Sequence, residues 1–210
     1  MPRTRSRQKT EEKFEQAVLE LVAHEGCCAL GVNAVAQRAG ADKVLIYRYF
    51  GDLNGLLRRV AQSRTWLPSA SETLQALSIS AEDESGASVL QKIYRLLLHH
   101  IRADKTTHQL VRWRKADKNP LTDFFTDQWM RLWDELPDRL STNLDATARQ
   151  SWKNACGILA LLVEAELCGE GLGVQSIDHL ASTLVLGEIE LEGSGTSAES
   201  EDSALPTNLL

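Results

Sequence analysis

At 210 residues with 43% hydrophobic content, the chain is long enough for one or two domains with a real core. Its net charge of −6 would argue against nucleic acid if taken whole, yet residues 1–64 carry 11 Lys/Arg against 7 Asp/Glu, a net of +4, and residues 65–210 carry 12 against 22, a net of −10. A basic head on an acidic body fits a protein that meets DNA with one end only, and the longest strongly apolar run, Ile158 to Val163, is far too short to cross a bilayer.

Residues 1–9 place Arg3, Arg5, Arg7 and Lys9 on a segment with no apolar side, which predicts a mobile basic arm. Such an arm either lies along a duplex or is simply solvated. Thr10 to His24 reads as an amphipathic helix with Phe14, Ala17, Val18, Leu21 and Val22 as its buried stripe and Gly26 as its end. Glu11 and Glu12 suit its amino-terminal dipole. Cys27 and Cys28 follow at the turn. With His24 nearby they raise a redox or metal hypothesis, against which stands burial as small hydrophobes at a helix junction, the reading adopted. The four cysteines show no C-x-x-C spacing, and the Arg-rich amino terminus has no apolar h-region. The expectation is a cytoplasmic protein with reduced thiols, no metal and no cofactor.

The next stretch, Val32 to Phe50, reads as two short helices around a tight turn. Val32, Val35, Ala36 and Ala39 share one face of the first. Gly40 sits where a left-handed backbone ends it, and Asp42 is placed to cap the second. Ile46, Tyr49 and Phe50 would face inward there, leaving Lys43, Val44, Tyr47 and Arg48 outward. A short helix of that kind suits the DNA major groove. Asp52 would then cap a helix reaching about Trp66, with Leu53, Leu56, Leu57, Val60 and Ala61 inward and Pro68 closing it.

From Phe14 to Val60 the sequence resembles the DNA-binding domain of TetR-family transcriptional regulators. The resemblance is carried by Ala17 to Gly26, by Val35-Ala36-Gln37-Arg38-Ala39-Gly40-Ala41-Asp42-Lys43, and by Ile46-Tyr47-Arg48-Tyr49-Phe50, with glycine, lysine, tyrosine and phenylalanine in register. Departures are Gly31 where the family has a capping Ser or Thr, Val44 and Leu45 after the lysine, and Leu53 where a basic residue often opens the next helix. They predict fewer phosphate contacts than the family pattern supplies. The resemblance implies an all-α protein: an amino-terminal helix-turn-helix domain and a carboxy-terminal helical ligand-binding and dimerisation domain. It also implies a DNA-reading set of Gly31, Asn33, Lys43, Val44, Leu45, Tyr47, Arg48 and Tyr49. Lys43 and Tyr47 would hold phosphate, and Arg48 is best placed for a guanine edge.

Residues 69–86 are Ser-rich and weakly apolar and read as loop or frayed helix. The body then offers helical patterns over Ala87 to Ala103, Thr106 to Lys115, Pro120 to Leu136, Thr147 to Cys168 and Ser176 to Leu191, with Pro137 breaking or kinking the third before Leu140. The last two are apolar around more than one stripe and need a second partner surface. By resemblance they would build a homodimer, with Ile158, Leu159, Leu162, Leu180 and Leu184 at the interface. The acidic stretch from Glu192 onward lacks a core pattern. The domains expected are a basic arm at 1–9, the DNA-binding domain at 10–66, an effector-binding and dimerisation domain at 67–191, and a disordered acidic tail at 192–210.

The body also gathers Trp113, Phe125, Trp129, Trp133 and Trp152, with Tyr94, His100 and Glu166 able to supply polar groups. By resemblance these eight would line a pocket for a small apolar or aromatic effector; ordinary core is the competing reading for each. The functional expectation is a repressor that binds a pseudo-palindromic operator as a dimer and is released by the effector, the alternative being a TetR-like protein with no effector. Catalysis is not expected, because no G-x-S-x-G, P-loop or H-E-x-x-H is present and the adjacent His99 and His100 diverge on a helix.

Overall fold

The computed structural model describes residues 2–77, 85–141 and 144–169, and every regular element among them is helical. In chain order these are α1 (Pro2–Glu25), a 3-10 turn (Cys27–Ala29), α2 (Val32–Ala39), α3 (Val44–Phe50), α4 (Leu53–Gln62), α5 (Ala70–Ala76), α6 (Gly86–Ala103), α7 (Lys105–Trp113), α8 (Pro120–Leu140) and α9 (Ala146–Cys168). The all-α expectation holds. The segments expected over Ser176 to Leu191 and beyond Glu192, with Leu180 and Leu184, lie outside the described residues.

The basic segment expected to be a mobile arm is instead the start of α1, which begins at Pro2 and not near Thr10. Neighbours one turn apart hold it: Arg7 Nε donates to Glu11 Oε1 at 2.6 Å, Gln8 to Glu12 at 3.0 Å, and the Thr10 hydroxyl to the Ser6 carbonyl at 2.9 Å. Further on, Phe14, Ala17, Val18, Leu21 and Val22 are all buried, as the stripe predicts. Gly26 turns the chain at φ 81°, and a Cβ there would stand 2.8 Å from the Trp113 indole nitrogen. Trp113 of α7 therefore sits directly on the turn that leads into α2. Of the two cysteines at that turn only Cys27 is buried; Cys28 is exposed. Burial pushes the Cys27 thiol up to about 12, with Asp117 adding to the effect, so it packs as a small hydrophobe.

Four further boundaries differ from expectation for local reasons. First, α4 stops at Gln62, and the chain turns so that Trp66 is fully buried, its Nε1 donating to the Ala61 carbonyl at 2.9 Å. Second, the Ser-rich stretch contains α5, opened by a reciprocal capping box in which Ser69 and Glu72 satisfy each other's backbone N–H. Third, α7 ends at Trp113, earlier than Lys115. Fourth, Pro137 does not break α8, which continues to Leu140. The proline falls in the last turn, where it removes one backbone bond, while Leu136 and Leu140 are buried and keep that turn on the core.

One hydrophobic core runs without interruption from Phe14 and Ile46 in the head to Trp152 and Leu167 in the body. Its junction is polar at the rim. The Arg64 guanidinium lies 4.7 Å over the Trp66 ring and donates to Asp104 Oδ2, while His100 Nε2 is 3.0 Å from the Trp66 carbonyl. Asp104 also caps α7 through the Thr106 N–H at 2.9 Å and accepts from the Thr107 hydroxyl at 3.1 Å. Burial opposes the Asp104 charge, but the Thr106 N–H, Arg64 and Thr107 outweigh it and hold the carboxyl below its ordinary range.

Candidate nucleic-acid interface and body groove

Four local devices set the angle of α3. Asp42 Oδ1 accepts from the Val44 N–H at 2.9 Å and so closes the turn before the helix, but the N-cap position expected for Asp42 is held by Lys43, whose side chain bonds none of the free N–H groups. The turn before it is closed by Gly40 at φ 59°. Beneath, Ile46 is completely buried and the Phe50 ring meets Phe14 edge-on at 6.2 Å. At the far end, the Gly55 position lies so close to the Phe50 carbonyl that a Cβ would come within 1.9 Å of the oxygen. Gly55 also donates its N–H to Asp52 Oδ1 at 2.6 Å, so α3 and α4 are joined through a contact that admits no side chain.

The face this leaves outward holds most of the expected residues. Lys43 and Arg48 are exposed, and Val44 and Tyr47 are 60% and 53% exposed, unusual for residues of that size. Lys43 Nζ donates to Asn33 Oδ1 at 3.3 Å, which ties the turn to the first turn of α2 and brings Asn33 onto the same face. Gly31 occupies the N-cap of α2 with no side chain to bond the free N–H groups, and a Cβ there would meet nothing within 4 Å. Leu45 is half-buried and packs against the core, supporting the turn. Tyr49, expected inward as well as at the DNA face, is half-buried. Its ring is covered by Arg7, whose guanidinium carbon stands 5.0 Å from the ring centre. That contact was invisible in the sequence because it joins residues in helices 42 positions apart.

Residues 16–60 match the model for bacterial regulatory proteins of the tetR family. The chain carries a tetR-family domain. No curated sequence relative matches it. Among solved structures, the crystal structure of HlyIIR, a hemolysin II transcriptional regulator, superposes with a TM-score of 0.56 at 13% identity, covering 85% of this chain and 98% of that one. The tetR-family head is thus identified in sequence, and the 85% of the chain that superposes shares the all-helical fold of that regulator.

Behind the tetR-family head, the eight residues expected around an effector have different surroundings among the described residues. Tyr94, Phe125 and Trp152 are buried core. Trp113 covers Gly26, His100 faces the Trp66 carbonyl, and Glu166 pairs with Arg102 at 2.7 Å. Only Trp129 and Trp133 line an open groove of about 530 Å³ between α8 and α9, together with residues the sequence gave no reason to single out, Arg114 and Glu164 among them. On α9, Leu159 and Leu162 are buried within the chain's own core. Ile158 at 41% and Leu161 at 61% are the apolar residues α9 presents outward.

Among the described residues no group of His, Cys, Asp and Glu could hold a metal ion, and no helix is long and apolar enough to cross a membrane.

Proposed function

We propose that the chain is a transcriptional regulator that reads duplex DNA with α3, and that it does so as a homodimer. The observation that carries this is the division of α3 and the residue before it into a completely buried Ile46 and an exposed Lys43, Val44, Tyr47 and Arg48. A helix clamped by its underside can enter the major groove without losing its orientation, and its outward cations supply the electrostatic attraction. Lys43 and Tyr47 hold phosphate and fix register; Arg48 donates to base edges, and Val44 presses on a thymine methyl. The exposed Ile158 on α9, which lies outside the groove lining, supports pairing of two copies, which would set two α3 helices one duplex turn or a multiple of it apart on a pseudo-palindromic site. Repression and release by a small effector acting on the body complete the reading, the effector working through unequal affinity for the two arrangements of the heads.

The test uses binding sites selected from randomised duplexes, with affinity measured against salt. Arg48→Ala is expected to relax base choice at one position per half-site, a loss of about 1–3 kcal/mol of discrimination. Lys43→Ala should weaken all sequences alike and lower the salt slope by about one. Unchanged curves for both variants would remove α3 from the interface.

A further inference from the structure

The groove between α8 and α9 has a polarity that nothing in the tetR-family head requires. At one end, Arg114 and Lys115 share the single carboxylate of Glu164, at 2.7 and 2.8 Å, two positive charges against one negative. Arg114 is only 5% exposed and its guanidinium lies 4.7 Å over the Trp129 ring. Its Nε is buried with no acceptor, and so is the indole nitrogen of Trp133 in the same wall. Along α8 the charge then reverses. Asp134 follows Trp129 by five residues, about 7.5 Å of helix, and at the far rim Lys153 is neutralised by Asp138 at 3.3 Å. Between the ends the surface is apolar, with Met130 and Leu161 more than half exposed.

A groove with two cations gathered at one end, carboxylates toward the other and an aromatic wall between them calls for one kind of occupant. We propose that this groove binds a small amphipathic organic anion, its oxyanion group at Arg114 and Lys115 and its apolar body along Trp129, Trp133 and Leu161. An oxygen of the ligand reaches Lys115 directly, since that side chain is 64% exposed, and reaches the Arg114 guanidinium by taking the place of the Glu164 carboxylate. The residue before Arg114 is Trp113, which covers Gly26 at the entrance to α2. Exchange of partners at Arg114 is therefore felt one residue away at the DNA-reading head. This deepens the effector reading proposed above, but the binding step stands apart from DNA.

The full chain is titrated with anilinonaphthalene sulfonate and with neutral phenyl-naphthylamine, a similar ring system lacking the sulfonate. Saturable binding of the sulfonate, displaced by decanoate, is expected. Lys115→Glu should weaken the anionic probe about fivefold and leave the neutral one unchanged. Gly157 lines the groove and a Cβ there meets nothing within 4 Å, so Gly157→Phe should fill the site and abolish both probes while the melting temperature stays level or rises. Equal binding of the two probes with no effect of Lys115→Glu would overturn the proposal. So would probe binding that survives Gly157→Phe, or a dimer that falls to monomer on Gly157→Phe in sedimentation, since the groove would then be where a second copy sits. DNA retardation by the same samples is read separately, so a failed groove leaves the regulator reading standing.

Discussion

The head and the body differ in what they bury. Between Phe14 and Val60 the interior is made of small and branched aliphatics around one buried ring, Phe14, and no unpartnered buried side-chain polar atom is found there among the described residues. The body buries Phe125, Trp129, Trp133 and Trp152, and with them four polar atoms that lack partners, on Arg114, Gln128, Trp133 and Trp152. Each such atom costs about 1–3 kcal/mol relative to a satisfied one. A head built only from complementary apolar shapes has one arrangement. A body holding unsatisfied donors has a reason to take up another when a partner for them arrives.

The largest break in that contrast comes from Trp152, which is completely buried in the second turn of α9. Trp152→Ala should cost about 3–5 kcal/mol in urea unfolding. Because the core is continuous, head and body should melt together; a separate, unshifted head transition would show the two to be independent.

In the head the corresponding test is Gly55→Ala, which forces a methyl onto the Phe50 carbonyl. A loss of about 2–3 kcal/mol is expected, and DNA affinity should fall further than stability alone explains, because α3 must tilt to make room.

The junction between the two is tested by acid. The Asp104 carboxyl titrates below its ordinary value of 3.8, so its contribution is fully present above that pH and is lost as the pH falls through its lower folded value. Asp104→Asn should therefore flatten the decline in melting temperature below about pH 4 relative to the parent chain. Parallel acid profiles would remove Asp104 from the account.

The smallest effect sharpens the head. Gly31→Ser supplies the missing cap of α2 in open space, for a gain of a few tenths of a kcal/mol in stability, and adds a hydroxyl at the DNA face. Tighter binding to all sequences is the expected companion result.

Legibility in the sequence follows the same division. The helix-turn-helix could be read because its signals are local: Gly40, Asp42 and the buried Ile46 lie within seven residues of one another. Also local was the Ser69–Glu72 capping box, a missed signal that would have revealed α5. The body resisted for a different reason. Helical spacing marks Trp129, Trp133, Leu159 and Leu162 as apolar, but not whether the face they occupy meets its own chain, a ligand or a second copy. The pairing of Arg114 with Glu164 spans 50 positions and leaves no periodic trace. The helical state of residues 2–9 hinged on side-chain partners such as Glu11, which an apolar-stripe reading does not weigh.

The missing side chain at position 55 has a practical outcome for anyone wishing to redirect this protein to another sequence. Transplanting the seven residues of α3 alone would seat a foreign reading helix against a neighbour shaped for the Phe50 carbonyl. The transferable cassette is the longer one, from Asp42 through Gly55, and libraries confined to Lys43, Val44, Tyr47 and Arg48 within it vary the letters while the hinge of the book stays fixed.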